Sequence, residues 1–146
     1  MSLLQETLQE QIDELIDLAY SKSEEGKIEE SFSLLKKAWD IYPEPKTQWN
    51  DAYNTAKYIY LDYLTMKKLD DAKFWLNKMI ENNNNLHLED DDVLFETAKY
   101  QFETEDYENA LNKFKEVVKE AGFRYFEDED PKYLEFYKNP EKYFEK

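Results

Sequence analysis

A short side chain recurs at Ser31, Ala72 and Ala110, 41 and 38 residues apart, and each copy sits in the same apolar frame. Ile28, Leu69 and Tyr107 precede it by three residues, Leu35, Leu76 and Phe114 follow it by four, and Ala38, Met79 and Val117 come three further on. Spacings of three and four put all these positions on one face of an α-helix, where 3.6 residues complete a turn. A small side chain in the middle of that face lets a neighbouring helix approach closely. Recurrence of the frame at a roughly constant interval is the trace of stacked helical pairs, each burying its apolar face against the next.

The rest of the chain can be read around this frame. Leu4, Leu8, Ile12, Leu15 and Ala19 form one helical stripe that runs out between Ser23 and Gly26. A second helix carries Ile28, Phe32, Leu35, Trp39 and Tyr42, and Pro43 and Pro45 stop it because neither can continue the hydrogen-bond ladder. The third helix, from about Lys46 to Lys67, shows two stripes: Trp49, Ala52, Ala56, Ile59 and Tyr63 on one, Tyr53, Tyr60 and Leu64 on the other. Two apolar faces predict a helix covered on both sides.

Leu69, Ala72, Leu76 and Met79 mark a fourth helix, and the asparagine run 82–85 reads as the loop that ends it, since asparagine side chains compete with the helical backbone for hydrogen bonds. The acidic run 89–92 opens a fifth helix, where carboxylates suit the free N–H groups and the positive end of the dipole. A sixth helix ends near Gly122, and Asp130 followed by Pro131 forms the N-cap and first turn of a short terminal helix. The expected fold is all-α: about three stacked antiparallel helix hairpins over residues 3–43, 46–85 and 89–122, closed by a C-terminal cap over 130–146. Together these form one domain spanning 1–146.

Composition narrows the function. Two glycines among 146 residues leave no room for the usual phosphate-cradling loops or dinucleotide fingerprint. No cysteine is present, so thiolate catalysis, sulfur-ligated zinc and disulfides are excluded, which fits a reducing compartment. An aromatic content of 16% argues for a packed core. The formal charge of −15 opposes binding to nucleic acid or anionic lipid and favours a basic protein partner. The N-terminal MSLLQETLQE lacks the basic start and apolar middle of a secretory signal, and no apolar run reaches the length of a membrane span, so the expected location is cytoplasmic.

Catalytic and metal chemistry lack their components. The single histidine, His87, has no thiolate or second imidazole to join it. The acidic clusters 89–92 and 127–130 lack the turn glycine of an EF-hand loop, and the Glu-x-x-His pair of di-iron bundles is absent. With no nucleophile, base and orienting group to assemble, the expectation is a non-enzyme without cofactor or metal.

Helix-pair stacks use their first helices to line a concave face. By that geometry Asp13, Asp17 and Tyr20 come from the first helix, Asn50, Tyr53, Asn54 and Lys57 from the third, and Asp92, Phe95, Lys99 and Phe102 from the fifth. The acidic segment Glu127, Asp128, Glu129 and Asp130 joins them as a candidate contact region. Tyrosine beside carboxylate suits recognition of basic side chains, the ring supplying rigid area and the acid selecting charge.

The chain resembles the tetratricopeptide-repeat family. In the first copy Leu15, Leu18, Ala19, Gly26, Ala38 and Pro43 sit at positions that family prefers, and in the third, AKYQFETEDYENALNKF, Ala98, Tyr107, Ala110 and Phe114 do so. The middle copy matches through Tyr63 and Ala72, and the units run longer than the family's repeat of about 34 residues. The resemblance implies a right-handed α-solenoid that binds protein. A shorter stretch, GFRYFEDEDPKYLEFYKNP at 122–140, is similar to the C-terminal segment of small bacterial tetratricopeptide proteins, some of which are immunity partners of interbacterial toxins. That likeness implies an immunity-type protein that binds and blocks a basic toxin domain, possessing no activity of its own. The alternatives are a peptide-binding chaperone or adaptor using the groove, with Lys57 and Lys99 toward peptide carboxylates, and a structural repeat that self-associates through Leu3, Leu4, Leu8, Tyr143 and Phe144. A monomer or weak homodimer is expected.

Overall fold

The computed structural model describes residues 6–144. Eight α-helices account for the regular structure of these residues, with no strand among them: α1 (Glu6–Glu24), α2 (Ile28–Ile41), α3 (Asn50–Thr65), α4 (Leu69–Leu86), α5 (Asp90–Glu103), α6 (Tyr107–Ala121), α7 (Pro131–Lys138) and α8 (Glu141–Phe144). Single 3-10 turns lie at Lys46–Gln48 and Arg124–Phe126. The chain divides into two compact units between Leu88 and Glu89. Among the described residues no helix is long and apolar enough to cross a membrane. Leu4, placed on the first stripe by the sequence, and Leu3, assigned with it to the association surface, lie outside the described residues.

The repeated frame has a backbone counterpart. The turns after α1, α3 and α5 each hold one left-handed residue, Gly26 (φ 80°), Lys67 (φ 61°) and Glu105 (φ 64°), again 41 and 38 residues apart. At each turn the left-handed residue donates its N–H three residues back, Gly26 to Ser23, Lys67 to Leu64 and Glu105 to Phe102. The next residue donates five back, Lys27 to Lys22 at 2.8 Å, Lys68 to Tyr63 at 3.0 Å and Asp106 to Gln101 at 2.8 Å. This pair of bonds is the Schellman motif, which satisfies the last carbonyls of a helix while reversing the chain. Three identical turns deliver three second helices in the same register, and Ser31, Ala72 and Ala110 are all buried there.

In the first unit α1 packs on α2, α2 on α3, and α3 on α4. The core around Ile12, Ala38, Tyr42, Trp49 and Ala52 is flanked by Leu15, Ile16, Trp39 and Ile41. Both stripes predicted for α3 are buried, which makes α3 the central helix of this unit. The Tyr42 hydroxyl lies 3.1 Å from Thr55 Oγ1, a buried polar pair tying the end of α2 to α3.

The asparagine run departs from the expected loop, because α4 continues through it to Leu86. Asn82 Nδ2 donates to Trp49 O at 3.1 Å and Asn85 Nδ2 to Thr47 O at 2.8 Å. Side chains that would otherwise compete with their own helix find carbonyls in and beside the Lys46–Gln48 turn, so tertiary bonding overrides local preference. His87, in left-handed conformation, closes the helix by donating its N–H to Asn83 O.

In the second unit α5 packs on α6, and the 3-10 turn and α7 cover α6. Its core is largely aromatic, with Phe95, Phe102, Phe114, Phe126, Tyr133 and Phe136 all buried. Ring pairs such as Phe95–Phe126 at 5.2 Å and 88° meet edge to face, the arrangement that aligns ring quadrupoles. The predicted cap forms as expected: Asp130 accepts the Lys132 N–H at 3.0 Å, with Pro131 in the first turn of α7. Tyr143, assigned by the sequence to an association surface, packs instead on this aromatic core, whereas Phe144 is half exposed.

Candidate functional site

A cleft of about 370 Å³ opens in the first unit between α1, α2 and α3. Its walls are apolar, from Ile16 and Ala19 of α1, Leu35 of α2 and Leu61 of α3. Its polar groups are Asp17, Tyr20, Ser23, Ser31, Tyr58 and Asp62, with no lysine or arginine among the described lining residues. Helical spacing produces this grouping: Asp17 and Tyr20 lie three apart on α1, and Tyr58 and Asp62 four apart on α3.

Asp62 is the unusual member. Its Oδ2 is shielded from solvent and has no hydrogen-bond partner among the described residues. Burial pushes its carboxyl up to about 6, since a low-dielectric setting without a counterion disfavours the charged form. At the rim, Tyr20 is 68% exposed and Tyr58 is also exposed. A hydrogen bond to the Glu24 carboxylate raises the Tyr20 hydroxyl above the ordinary tyrosine value. The cleft therefore joins an apolar passage to negative charge and two phenol rings, a lining suited to an alkyl chain ending in a cation.

The second unit holds a polar network of a different kind. Lys99 is 4% exposed and its Nζ lies 3.0 Å from Glu96 Oε1 and 2.8 Å from Glu129 Oε1. Beside it, Glu103 Oε2 accepts from the Tyr133 hydroxyl at 2.6 Å and pairs with Lys132 Nζ at 2.7 Å. Burial alone pulls the Lys99 amine down, but Glu96 and Glu129 together outweigh it and leave the amine above its ordinary value. Burial, then the hydrogen bond to Glu103, drives the Tyr133 hydroxyl well above the usual range. These charges are matched to one another, so the network ties α5 to the segment leading into α7.

The expected contact residues thus separate into groups. Asp17 and Tyr20 line the cleft. Asp13 is exposed on α1 and accepts a hydrogen bond from Gln9 at 2.9 Å. Asn54 is exposed, and Asn50 and Lys57 are partly buried. Tyr53, Phe95 and Phe102 are buried among core residues, where they provide packing and expose at most 8% of their surface. Asp92 is buried in the first turn of α5, and Lys99 is committed to its ion pairs. In the acidic segment Glu129 pairs with Lys99 and Asp130 caps α7, leaving Glu127 and Asp128 exposed.

Asp62 and Tyr58 were absent from the sequence-based set. The available signal was the lone carboxylate within YIYLDYL, an otherwise apolar and aromatic run. Among the described residues no group of three or more His, Cys, Asp or Glu is placed to hold a metal ion. No protein-family model and no curated protein matches the chain.

Proposed function

We propose that this chain is a noncatalytic protein-interaction module of the tetratricopeptide type, binding a basic polypeptide through the face carried by its first helices. The observation that carries this reading is the cleft between α1, α2 and α3, in which α1 and α3 offer Asp17, Asp62 and two tyrosines, with no cation among the described lining residues. Three identical Schellman turns at the repeat interval and the burial of Ser31, Ala72 and Ala110 support the repeat architecture. A net charge of −15 supports fast, salt-sensitive encounter with a basic partner. The narrower form of the proposal is an immunity-type protein that blocks a basic toxin domain by occlusion. It rests on the likeness of residues 122–140, whose exposed Glu127 and Asp128 offer further negative charge.

The test is affinity capture from the source organism at low and high salt, followed by reconstitution from purified components. Retention of a basic protein at low salt, with the complex re-formed in isolation and weakened by salt, supports the proposal. Failure to retain any polypeptide at low salt overturns it, and a partner whose activity is unaffected by binding removes the immunity form.

A further inference from the structure

We infer that the cleft of the first unit receives a lysine or arginine side chain presented on a polypeptide, with its alkyl stem against Ile16, Leu35 and Leu61 and its cationic head paired with Asp62. The inference deepens the proposed function and rests on it for the source of the cation. Three features of the cleft select this occupant. Its walls are hydrocarbon, which suits the methylene stem that lysine and arginine bury while keeping the head polar. Its charge is of one sign, since Asp17 and Asp62 line it and no basic side chain does so among the described residues. Asp62 lines the cleft as a partly buried carboxylate whose Oδ2 has no hydrogen-bond partner among the described residues, so a cation entering the cleft supplies the counter-charge that its lining lacks. An aliphatic occupant would leave this charge unmet, and an anionic one would add repulsion. Tyr20 and Tyr58 stand at the mouth, where a ring face adds attraction for the cation.

Binding should follow the protonation of Asp62. The titratable groups around it are Asp17 and Tyr20 of α1, the latter bonded to Glu24, and Tyr58 of α3; α2 contributes only Ser31 and Leu35 to the cleft. Burial raises the Asp62 carboxyl to about 6, so cation binding is expected to fall on acidification through that range.

The experiment titrates the whole chain with acetylated, amidated pentapeptides carrying lysine, arginine or norleucine at the centre, read by carboxyl-carbon and aromatic-ring NMR. The expected result is saturable shifts at Asp62, Tyr20 and Tyr58 with lysine or arginine and none with norleucine. Asp62→Asn is expected to weaken lysine-peptide binding at least tenfold, whereas Asp13→Asn, an equal charge change on an exposed site of α1, leaves it within twofold. A second readout needs no variant: saturating lysine peptide is expected to lower the Asp62 carboxyl pKa. Equal loss in the two variants, binding of norleucine as strong as that of lysine, or an unmoved Asp62 titration overturns the inference. Its failure is separable from that of the wider proposal. A partner captured equally by wild type and Asp62→Asn sinks the cleft and leaves the interaction module, whereas lysine-peptide binding without any captured polypeptide does the reverse.

Discussion

Replacing Lys99 with methionine removes the central charge of the second unit's network while keeping much of the side chain's volume against Phe95 and Tyr133, whose ring centres lie 5.7 and 5.5 Å from its Nζ. The cost comes from what remains. Glu129, about a quarter exposed on its side chain, can turn toward water, but Glu96 is 2% exposed and loses its ion pair at 3.0 Å. Removing one partner of such a pair costs about 3–5 kcal/mol, and the escape open to Glu129 puts Lys99→Met near ~3 kcal/mol. With a urea slope on the order of 1.5 kcal/mol/M, the unfolding midpoint followed by far-ultraviolet circular dichroism falls by about 2 M. The amine's pKa is raised in the folded state, so its contribution is complete below the ordinary lysine value and is lost only as pH rises through the higher folded one. A measurement at pH 7 thus reads the full effect. In a Glu96→Gln background the same substitution should cost less by about 1–2 kcal/mol, because no buried anion is left behind. A cost below ~1 kcal/mol, or one unchanged by Glu96→Gln, would refute the matched-charge reading of this network.

Asp62 has a folded-state pKa raised from 3.8 to about 6, so the native protein takes up a proton before the unfolded chain does and gains stability as pH falls between those values. Melting curves of wild type and Asp62→Asn from pH 7 to pH 4 should show the wild type gaining on the variant through that window, and parallel curves would contradict it. Gly26→Ala places a Cβ that meets nothing within 4 Å, so its cost is purely that of the left-handed backbone, about 1 kcal/mol in urea denaturation. Asn82→Ala deletes a buried donor to Trp49 O and should cost about 1–3 kcal/mol, with a change in tryptophan emission since Trp49 carries that carbonyl.

The helices were legible because their signals are local and periodic. The frame around Ser31, Ala72 and Ala110, both stripes of α3, the proline stop after α2 and the Asp130 cap all follow from spacing or from a side chain's reach to its own backbone. The asparagine run misled because its outcome depends on carbonyls about 33 to 38 residues earlier in the chain, at Trp49 and Thr47, that no local window contains. Lys67 and Glu105 carry no glycine-like mark of a left-handed turn, and only their alignment with Gly26 at the repeat interval identifies them.

The candidate site was legible in part. Periodicity gives which face a residue occupies but not whether a neighbour covers that face, so spacing alone places Tyr53, Phe95 and Phe102 on a face without separating groove from core, and burial assigns them to the core. Lys99 shows a related limit: its partners Glu96 and Glu129 come from its own helix and from a distant segment, and only their convergence makes the lysine a buried tie. Asp62 escaped notice because it sits in an apolar run, which is also why its carboxylate is poorly solvated.

Backbone and side-chain NMR of the isotope-labelled chain, titrated with the captured partner, locates the surface that receives a basic polypeptide. Shifts in the first unit are expected to concentrate on Asp17 and Tyr20 of α1 and on Tyr58 and Asp62 of α3, diminishing as salt is raised. Shifts that spare these four residues and gather on the exposed faces of α2 and α4, around Asp40 and Phe74, would contradict binding at the cleft.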